Sequence, residues 1–563
     1  MATTKQMMVR TLIECGVDSV FTLPGYGITR SLDAFYEHKD KIKVVLTRSE
    51  QIGSIMAQVV GKLTGKPGVY MGQGPFAATT GGFGILESYF AGTPMVVITE
   101  TSDYNGYGQY GVYQTMTGDY GAADIRAMMK AMTKYSTYAD QPIDAIYGLQ
   151  LAYKHASLPR MGPAAVILKT PIIGQEVDMD TNIKLYPSSG YMAYTPARPD
   201  AHAVKQLAGM INEAKNPIII AGNGAQQETS RQLIAQIASE YGIAVATSYN
   251  GKGVIDETAE FAVGMLGNWG NINSNHTLEQ ADLIVVLGAS LAPDYTKMRD
   301  AKLIRPHDQK IVQVDIDQRN AGWVYPVDLA ITGDVSDVLT MLLKENLSTT
   351  QRASRLAHIQ AIKEKSGYGS FPHYTPASEG KVHMADISRE LGKQLTKDDM
   401  VTLDAGTNRI WMTSTLQIKH PGQLVVPGGI GGMGWGAPAA AATKYVYRNK
   451  RVFSVIGDGG FAMTMSVLAT CVQENLPITI IVANNSGLGM VRDNMGKNRI
   501  AVDFGDVDFA MIAQGMGCIG YRVRTSAELA DAINMSSHSD LPVVIDALVD
   551  ENASHISVSD YRK

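Results

Sequence analysis

The residues best equipped for chemistry stand at two polar breaks in RVFSVIGDGGFAMTMSVLATCVQENLPITIIVANNSGLGM, residues 451–490. The first break is Gly457-Asp458-Gly459-Gly460 and the second is Asn484-Asn485-Ser486-Gly487. Asp458 offers a carboxylate and Asn485 an amide oxygen. Both are hard donors of the kind Mg²⁺ accepts, usually with a phosphate in the same coordination shell. Gly457, Gly459 and Gly460 let backbone N–H groups approach an anion, and a helix starting near Phe461 would add its positive end. The pair of breaks predicts a cradle for Mg²⁺ and a diphosphate. The plain alternative is a buried β-α-β unit with surface turns, which a bare GDG would favour.

Such a cradle needs two strands and a crossover behind it. Residues 452–456 and 478–483 are short apolar runs with strand character. Between them Met463, Val467, Leu468, Cys471 and Val472 fall on one helical face. Both breaks then lie at carboxyl ends of parallel strands, the edge where open α/β sheets bind ligands. GDG followed by NN at this spacing, with the trailing GLGM, resembles the signature of thiamine diphosphate (ThDP) enzymes. The flanking text is similar to the acetolactate synthase and pyruvate oxidase branch. The resemblance implies a Mg²⁺ ion held by Asp458, Asn485 and Gly487, with Leu488, Gly489 and Met490 also against the cofactor.

At 563 residues the chain has room for three or four domains. The expected fold is α/β, with three doubly wound parallel-sheet domains. Residues 1–180 would bind the ThDP pyrimidine, 190–345 would form a middle FAD- or nucleotide-type domain, and 365–563 would bind the diphosphate and Mg²⁺. Residues 177–200 and 349–381 are polar connections, with Pro, Ser and Tyr frequent in the first.

In the first domain, predicted strands at 19–23, 43–47, 68–71 and 95–99 alternate with helices. Glu50 follows one of these strands and opens a helical run with Ile55, Met56, Val59 and Val60. An acid in a helix's first turn is favoured by the macrodipole whatever its function. TRSEQIGSIMAQVVGKLTGKPGV, however, resembles the family segment carrying the catalytic glutamate. By that resemblance Glu50 stands against N1′ of the aminopyrimidine and shifts the ring toward its imino tautomer, which takes the thiazolium C2 proton. Pro24, Gly25 and Thr80 are expected beside the cofactor too. Gln114, in YQTMTGDYG, resembles the active-site glutamine preceding a TK pair, here Thr133-Lys134. A satisfied loop amide is the alternative. The tyrosine-rich loop 103–120 suits a subunit contact.

In the third domain PGGIGGMGWGAP, residues 427–438, resembles the family's GGLGTMGFGLPAA. It implies Met433 as the apolar wedge under ThDP, and the Gly431 carbonyl as the partner of the 4′-amino group. Asp404 to Asn408, with Thr407 and Asn408 among them, would reach the diphosphate from beside the Mg²⁺ cradle. In the middle domain, small and acidic residues collect after strands: Gly222 and Gly224, Gly288 and Ala289, Asp315 and Asp317, Gly333 and Asp334. With Gly267 and Asn268 of GMLGNWG they resemble the branch's FAD domain, where flavin is usually structural and some relatives bind ADP or nothing.

Net charge is −5, so no basic field predicts nucleic acid or an anionic membrane as partner. The three cysteines are far apart and show no metal spacing. Few cysteines fit a reducing cytoplasm, no apolar run approaches a membrane span, and the N-terminus reads as an amphipathic helix. A cytoplasmic enzyme is expected.

The resemblance implies a carboligase that decarboxylates a 2-oxo acid and ligates the acyl carbanion to an aldehyde or ketone. The runner-up is a ThDP-dependent lyase or hydrolase of a diketone or acyloin. Several pocket positions depart from acetolactate synthases. Tyr26 stands where a glycine is usual, Phe76-Ala77 replace Pro-Gly, and Asn494 replaces a tryptophan. No arginine near Ser290 and Pro293 matches the one that holds the second substrate; Arg492 is the candidate replacement, with a solvated residue on the surface of a helix as the equal alternative. In the family Glu50 and Asp458 would come from different subunits, which implies a homodimer or homotetramer.

Overall fold

The computed structural model describes residues 2–104, 114–119, 121–177, 185–371 and 373–560. They form three six-stranded sheets, and every strand pairing in them is parallel. The first sheet runs Lys43–Leu46, Ser19–Leu23, Gly68–Gly72, Met95–Glu100, Pro163–Leu168, Tyr135–Ala139. The second runs Leu329–Thr332, Lys310–Asp315, Leu283–Leu287, Pro217–Ala221, Ala244–Thr247, Ala262–Met265. The third runs Leu424–Val425, Asp399–Leu403, Arg451–Gly457, Thr479–Asn484, Val543–Leu548, Ile519–Val523. Among the described residues no helix is long and apolar enough to cross a membrane.

The strands read as continuous apolar runs because helices cover both faces of each parallel sheet. The helix Glu50–Thr64 shows how local chemistry sets an element's bounds. Ser49 caps its start, accepting the Ile52 N–H at 3.2 Å, and Gly65 ends it at φ +68°. Its Ile52, Ile55, Met56 and Val59 are fully buried at helical spacing. That face packs against Gly82–Ala91 of its own domain and against Gly436–Val446 of the third, in one core common to both. Trp435 crosses the same boundary, its indole N–H donating to Gln58 Oε1 at 3.1 Å. The first and third domains of one chain are therefore built against each other.

Two expectations need correction. The crossover after Asp458 is two short helices, Asp458–Thr464 and Val467–Gln473, not one continuous face. Val467, Leu468 and Cys471 are buried as expected, whereas Met463 is 52% exposed because the break rotates it off the apolar stripe. The polar stretch 349–381 holds a fifteen-residue helix, Arg352–Ser366. It buries a short apolar stripe, Ile359 and Ile362, flanked by anchoring charges: Arg355 donates to the Ile211, Ala214 and Tyr241 carbonyls, and Lys363 to those of Ala259 and Glu260. Tyr107, Tyr110, Tyr113 and Tyr120 of the tyrosine-rich loop lie outside the described residues.

Candidate active site

Strands Asp399–Leu403, Arg451–Gly457 and Thr479–Asn484 are neighbours in the third sheet. Adjacent strands lie about 5 Å apart, so their carboxyl ends bring residues 404–408, 457–460 and 485–490 together. Asp458 is 4% exposed. Its Oδ1 accepts the Gly459 N–H at 2.7 Å and its Oδ2 the Gly487 N–H at 3.0 Å, which ties the two breaks to each other. Burial pushes its carboxyl above the usual range. One end of the Asn485 amide lies 2.8 Å from the Gly487 carbonyl oxygen, and the other lies 3.3 Å from an Arg492 guanidinium nitrogen. An octahedral Mg²⁺ spaces its oxygen ligands about 2.9 Å apart, so an amide turned with its oxygen toward that carbonyl would stand at the separation a shared ion requires. With no ion the amide nitrogen donates to the carbonyl instead.

Thr407 opens the helix Thr407–Thr415 behind Gly406, which stands at φ +102°. Its hydroxyl and the Asn408 amide oxygen are buried and find no hydrogen-bond partner among the described residues. A Cβ on Gly489 would lie 3.2 Å from that hydroxyl and 2.5 Å from the Asn485 amide, so these residues line one small space. A buried, unanswered hydroxyl at a helix N-terminus, beside oxygen donors suited to a divalent ion, fits a bound diphosphate.

Arg492 is buried, not solvated. Its guanidinium donates to the Asn485 carbonyl at 3.2 Å and pairs with Asp503 and Glu551 at 3.4 and 3.5 Å. Asn494 is exposed and donates to the Met490 carbonyl one turn back.

Asp404, expected to reach toward the diphosphate, is a clamp between the cradle and the glycine-rich loop. It accepts the N–H groups of Gly434 at 3.0 Å and Gly436 at 2.9 Å, and a Cβ on Gly460 would meet its Oδ2 at 2.1 Å. Burial pushes its carboxyl up to about 6 from an ordinary 3.8. The folded state then holds this proton more tightly than the unfolded chain does. Asp404's stabilising contribution is complete below about pH 4, declines as pH rises toward about 6, and is level above, a loss of up to about 3 kcal/mol. Asp546, likewise raised to about 6 by burial, acts in the same direction. Melting temperatures of Asp404→Asn between pH 4 and 7 should show a flatter slope than wild type; an identical slope refutes the assignment.

A second cluster forms at the carboxyl edge of the first sheet. Glu50 Oε2 accepts the Thr80 hydroxyl at 3.2 Å. Pro24 and Gly25 end the strand Ser19–Leu23, and a Cβ on Gly25 would collide with Gln73 Oε1 at 1.6 Å. Gln73 accepts the Tyr26 N–H at 2.9 Å and donates to Gln114. It gathers Gly25, Tyr26 and Gln114 into one wall, with Phe76 37% exposed beside it. Nothing in Gln73's local sequence marked it beyond its place after a strand.

Between the domains lies a cavity of about 1160 Å³. Gly224, Gly288, Ala289, Asp315, Gly333 and Asp334 line it, while Lys62, Arg160 and Arg231 supply positive charge. Gly222 sits behind this wall, where a Cβ would meet the Gly288 carbonyl at 2.3 Å. Gly267, Asn268 and Asp317 stand off the lining; Asn268 donates to the Asp294 carbonyl and Asp317 pairs with Arg319.

Three domain families match the chain. Residues 2–122, 204–342 and 404–547 match, in order, the families described as thiamine pyrophosphate enzyme N-terminal TPP binding domain, central domain and C-terminal TPP binding domain. The acetolactate synthase large subunit of Corynebacterium glutamicum is 30% identical over 563 residues, covering 97% of this chain and 86% of that protein. The acetolactate synthase large subunit of Lactococcus lactis subsp. lactis is 27% identical over 556 residues, covering 97% and 92%.

Proposed function

Because the chain belongs to the thiamine pyrophosphate enzymes, in their acetolactate synthase branch, we propose that the Asp458 cradle holds Mg²⁺ and the ThDP diphosphate while Glu50 serves the ring at the other end. The protein is a ThDP-dependent decarboxylating carboligase, and cleavage of a diketone or acyloin is not favoured. The observation that carries the site is the buried, unpartnered Thr407 hydroxyl set against Asn485 and Gly489.

When bound, ThDP supplies the electron sink that lets a bond to a carbonyl carbon break and re-form. The side chains of Asp458 and Asn485 and the Gly487 carbonyl hold the ion. Thr407, Asn408 and the backbone of Gly457, Gly459, Gly460, Leu488, Gly489 and Met490 surround the diphosphate. Glu50, steadied by Thr80, shares a proton with the ring nitrogen beside Pro24 and Gly25. Met433 would prop the cofactor, and the Gly431 carbonyl would be the acceptor for its amino group. Gln114, held by Gln73, orients a substrate oxygen. Tyr26, Phe76 and Asn494 bound the substrate, and Arg492 acts on it through Asn485. A 2-oxo acid is the proposed donor and an aldehyde or ketone the acceptor.

The domain division at 1–180, 190–345 and 365–563 follows the same reading. So does a homodimer or homotetramer in which Glu50 and Asp458 of one site come from different copies. FAD is the proposed occupant of the inter-domain cavity, supported by its strand-end glycines and its positive side chains. Cytoplasmic residence is proposed on cysteine content alone.

A substrate panel tests the function. With ThDP and Mg²⁺, pyruvate should yield CO₂ and a ligated product. Turnover confined to diketones or acyloins would replace carboligation with cleavage. A flavin spectrum in the purified protein tests the cavity. Arg492→Met should weaken the Mg²⁺–ThDP complex about tenfold by freeing Asn485, measured as quenching of tryptophan fluorescence; unchanged affinity would leave Arg492 a purely structural residue.

A further inference from the structure

Glu87 is fully buried, on the helix Gly82–Ala91 of the first domain. Its carboxylate, near the Lys62 ammonium of its own domain, reaches its hydrogen-bond partners in the third. Oε1 accepts the N–H groups of Gly428 at 2.8 Å and Gly429 at 2.7 Å, and Oε2 accepts that of Gly431 at 3.0 Å. All three belong to the glycine-rich loop of the third domain. Closely spaced N–H groups of a glycine loop make a concavity that attracts anions. Here the anion is a side chain from another domain.

The loop touches that helix so closely that side chains are excluded. A Cβ on Gly429 would lie 2.5 Å from the Glu87 carbonyl oxygen, and one on Gly432 would lie 2.5 Å from the Phe83 ring. Gly431 stands at φ +61°, in the left-handed region. On the loop's other side Arg409 donates to the Pro427 carbonyl at 3.2 Å. Asn223, which accepts from Lys62 at 3.2 Å, lies against Gly428.

A buried carboxylate is costly unless fully bonded, and an apolar residue would serve cohesion as well. What an apolar residue cannot do is aim three N–H groups at one point. We propose that Glu87 is a positioning residue for carboligation: by gathering the Gly428, Gly429 and Gly431 N–H groups it fixes the backbone that presents the Gly431 carbonyl and Met433 to the thiamine ring. This rests on the reading of residues 427–434 as the ring-binding loop.

Glu87→Gln keeps the shape but turns an amide N–H toward a backbone N–H. Three readouts decide the matter: hydrogen–deuterium exchange of the 427–434 peptide without cofactor, ThDP affinity by fluorescence quenching, and steady-state kinetics on the 2-oxo acid turned over in the panel. The expected result is exchange at least about tenfold faster, ThDP affinity about tenfold weaker, and kcat about thirtyfold lower at saturating ThDP, with KM within about twofold. Glu87→Asp keeps the charge one methylene short and should fall between wild type and Glu87→Gln on all three scales; it decides the question if the glutamine variant does not fold. Wild-type exchange in both variants overturns the role of Glu87 and leaves the ThDP site standing. A loosened loop with wild-type ThDP affinity and kcat overturns the assignment of the loop to the ring. Lower melting temperature with kcat intact per loaded site makes Glu87 a structural residue only.

Discussion

Glu50→Gln is expected to lower kcat by about a thousandfold or more while leaving ThDP affinity within about threefold of wild type. The split follows from where the two ends of the cofactor are held. Glu50 opens a helix of the first domain and is touched by Thr80, whereas the proposed diphosphate anchor lies at strand ends of the third. A glutamine amide can still reach the ring and accept from Thr80. It cannot carry the negative charge that stabilises a protonated ring nitrogen. Single-turnover kinetics and a ThDP titration on the same preparation measure the two quantities. A variant turning over at wild-type rates would remove Glu50 from the mechanism, and one that no longer binds ThDP would make it an anchor instead.

Asp458→Asn should abolish the thermal stabilisation that ThDP and Mg²⁺ give the wild-type protein, with cofactor affinity reduced at least about a hundredfold. Among the described residues no three His, Cys, Asp or Glu side chains gather into a metal site. Asp458 is thus the one charged donor of a proposed set whose remaining protein oxygens, from Asn485 and Gly487, are neutral. The diphosphate must bring the balancing charge, so ion and cofactor should each bind weakly alone and tightly together. The substitution keeps an oxygen for one of the Gly459 and Gly487 N–H groups, and it removes a carboxylate that burial already disfavours. The unliganded variant should therefore melt within a few degrees of wild type. Thermal scans with ThDP alone, Mg²⁺ alone and both settle it: an undiminished joint shift in the variant would mean that the ion sits elsewhere.

Local sequence determined the architecture to a large degree. The strands Pro217–Ala221 and Leu283–Leu287 stand where the apolar runs place them, because a strand buried on both faces announces itself in about five consecutive residues and glycine marks its end. The same logic flagged Asp458, Asn485 and Thr407, whose meaning lies in following a strand. Reasoning from periodicity failed where a short apolar stripe is outnumbered by polar residues that dock an element. Arg352–Ser366 docks through Arg355 and Lys363 onto carbonyls, so its polar sequence resembled a linker.

The partners of several site residues were decided only by tertiary structure. Glu87 meets Gly428 341 positions away, Gln73 meets Gln114 across 41, and Asp404 holds Gly434 across 30. Arg492 changed from a surface helix residue to a buried support for Asn485 once Asp503 and Glu551 closed over it. A carboxylate or guanidinium carries no periodic signal, since its place depends on which donors or acceptors the fold delivers to it. Backbone preference and burial act over a few residues and can be read along the chain; the pairing of polar groups acts through space, and only the folded chain sets those distances.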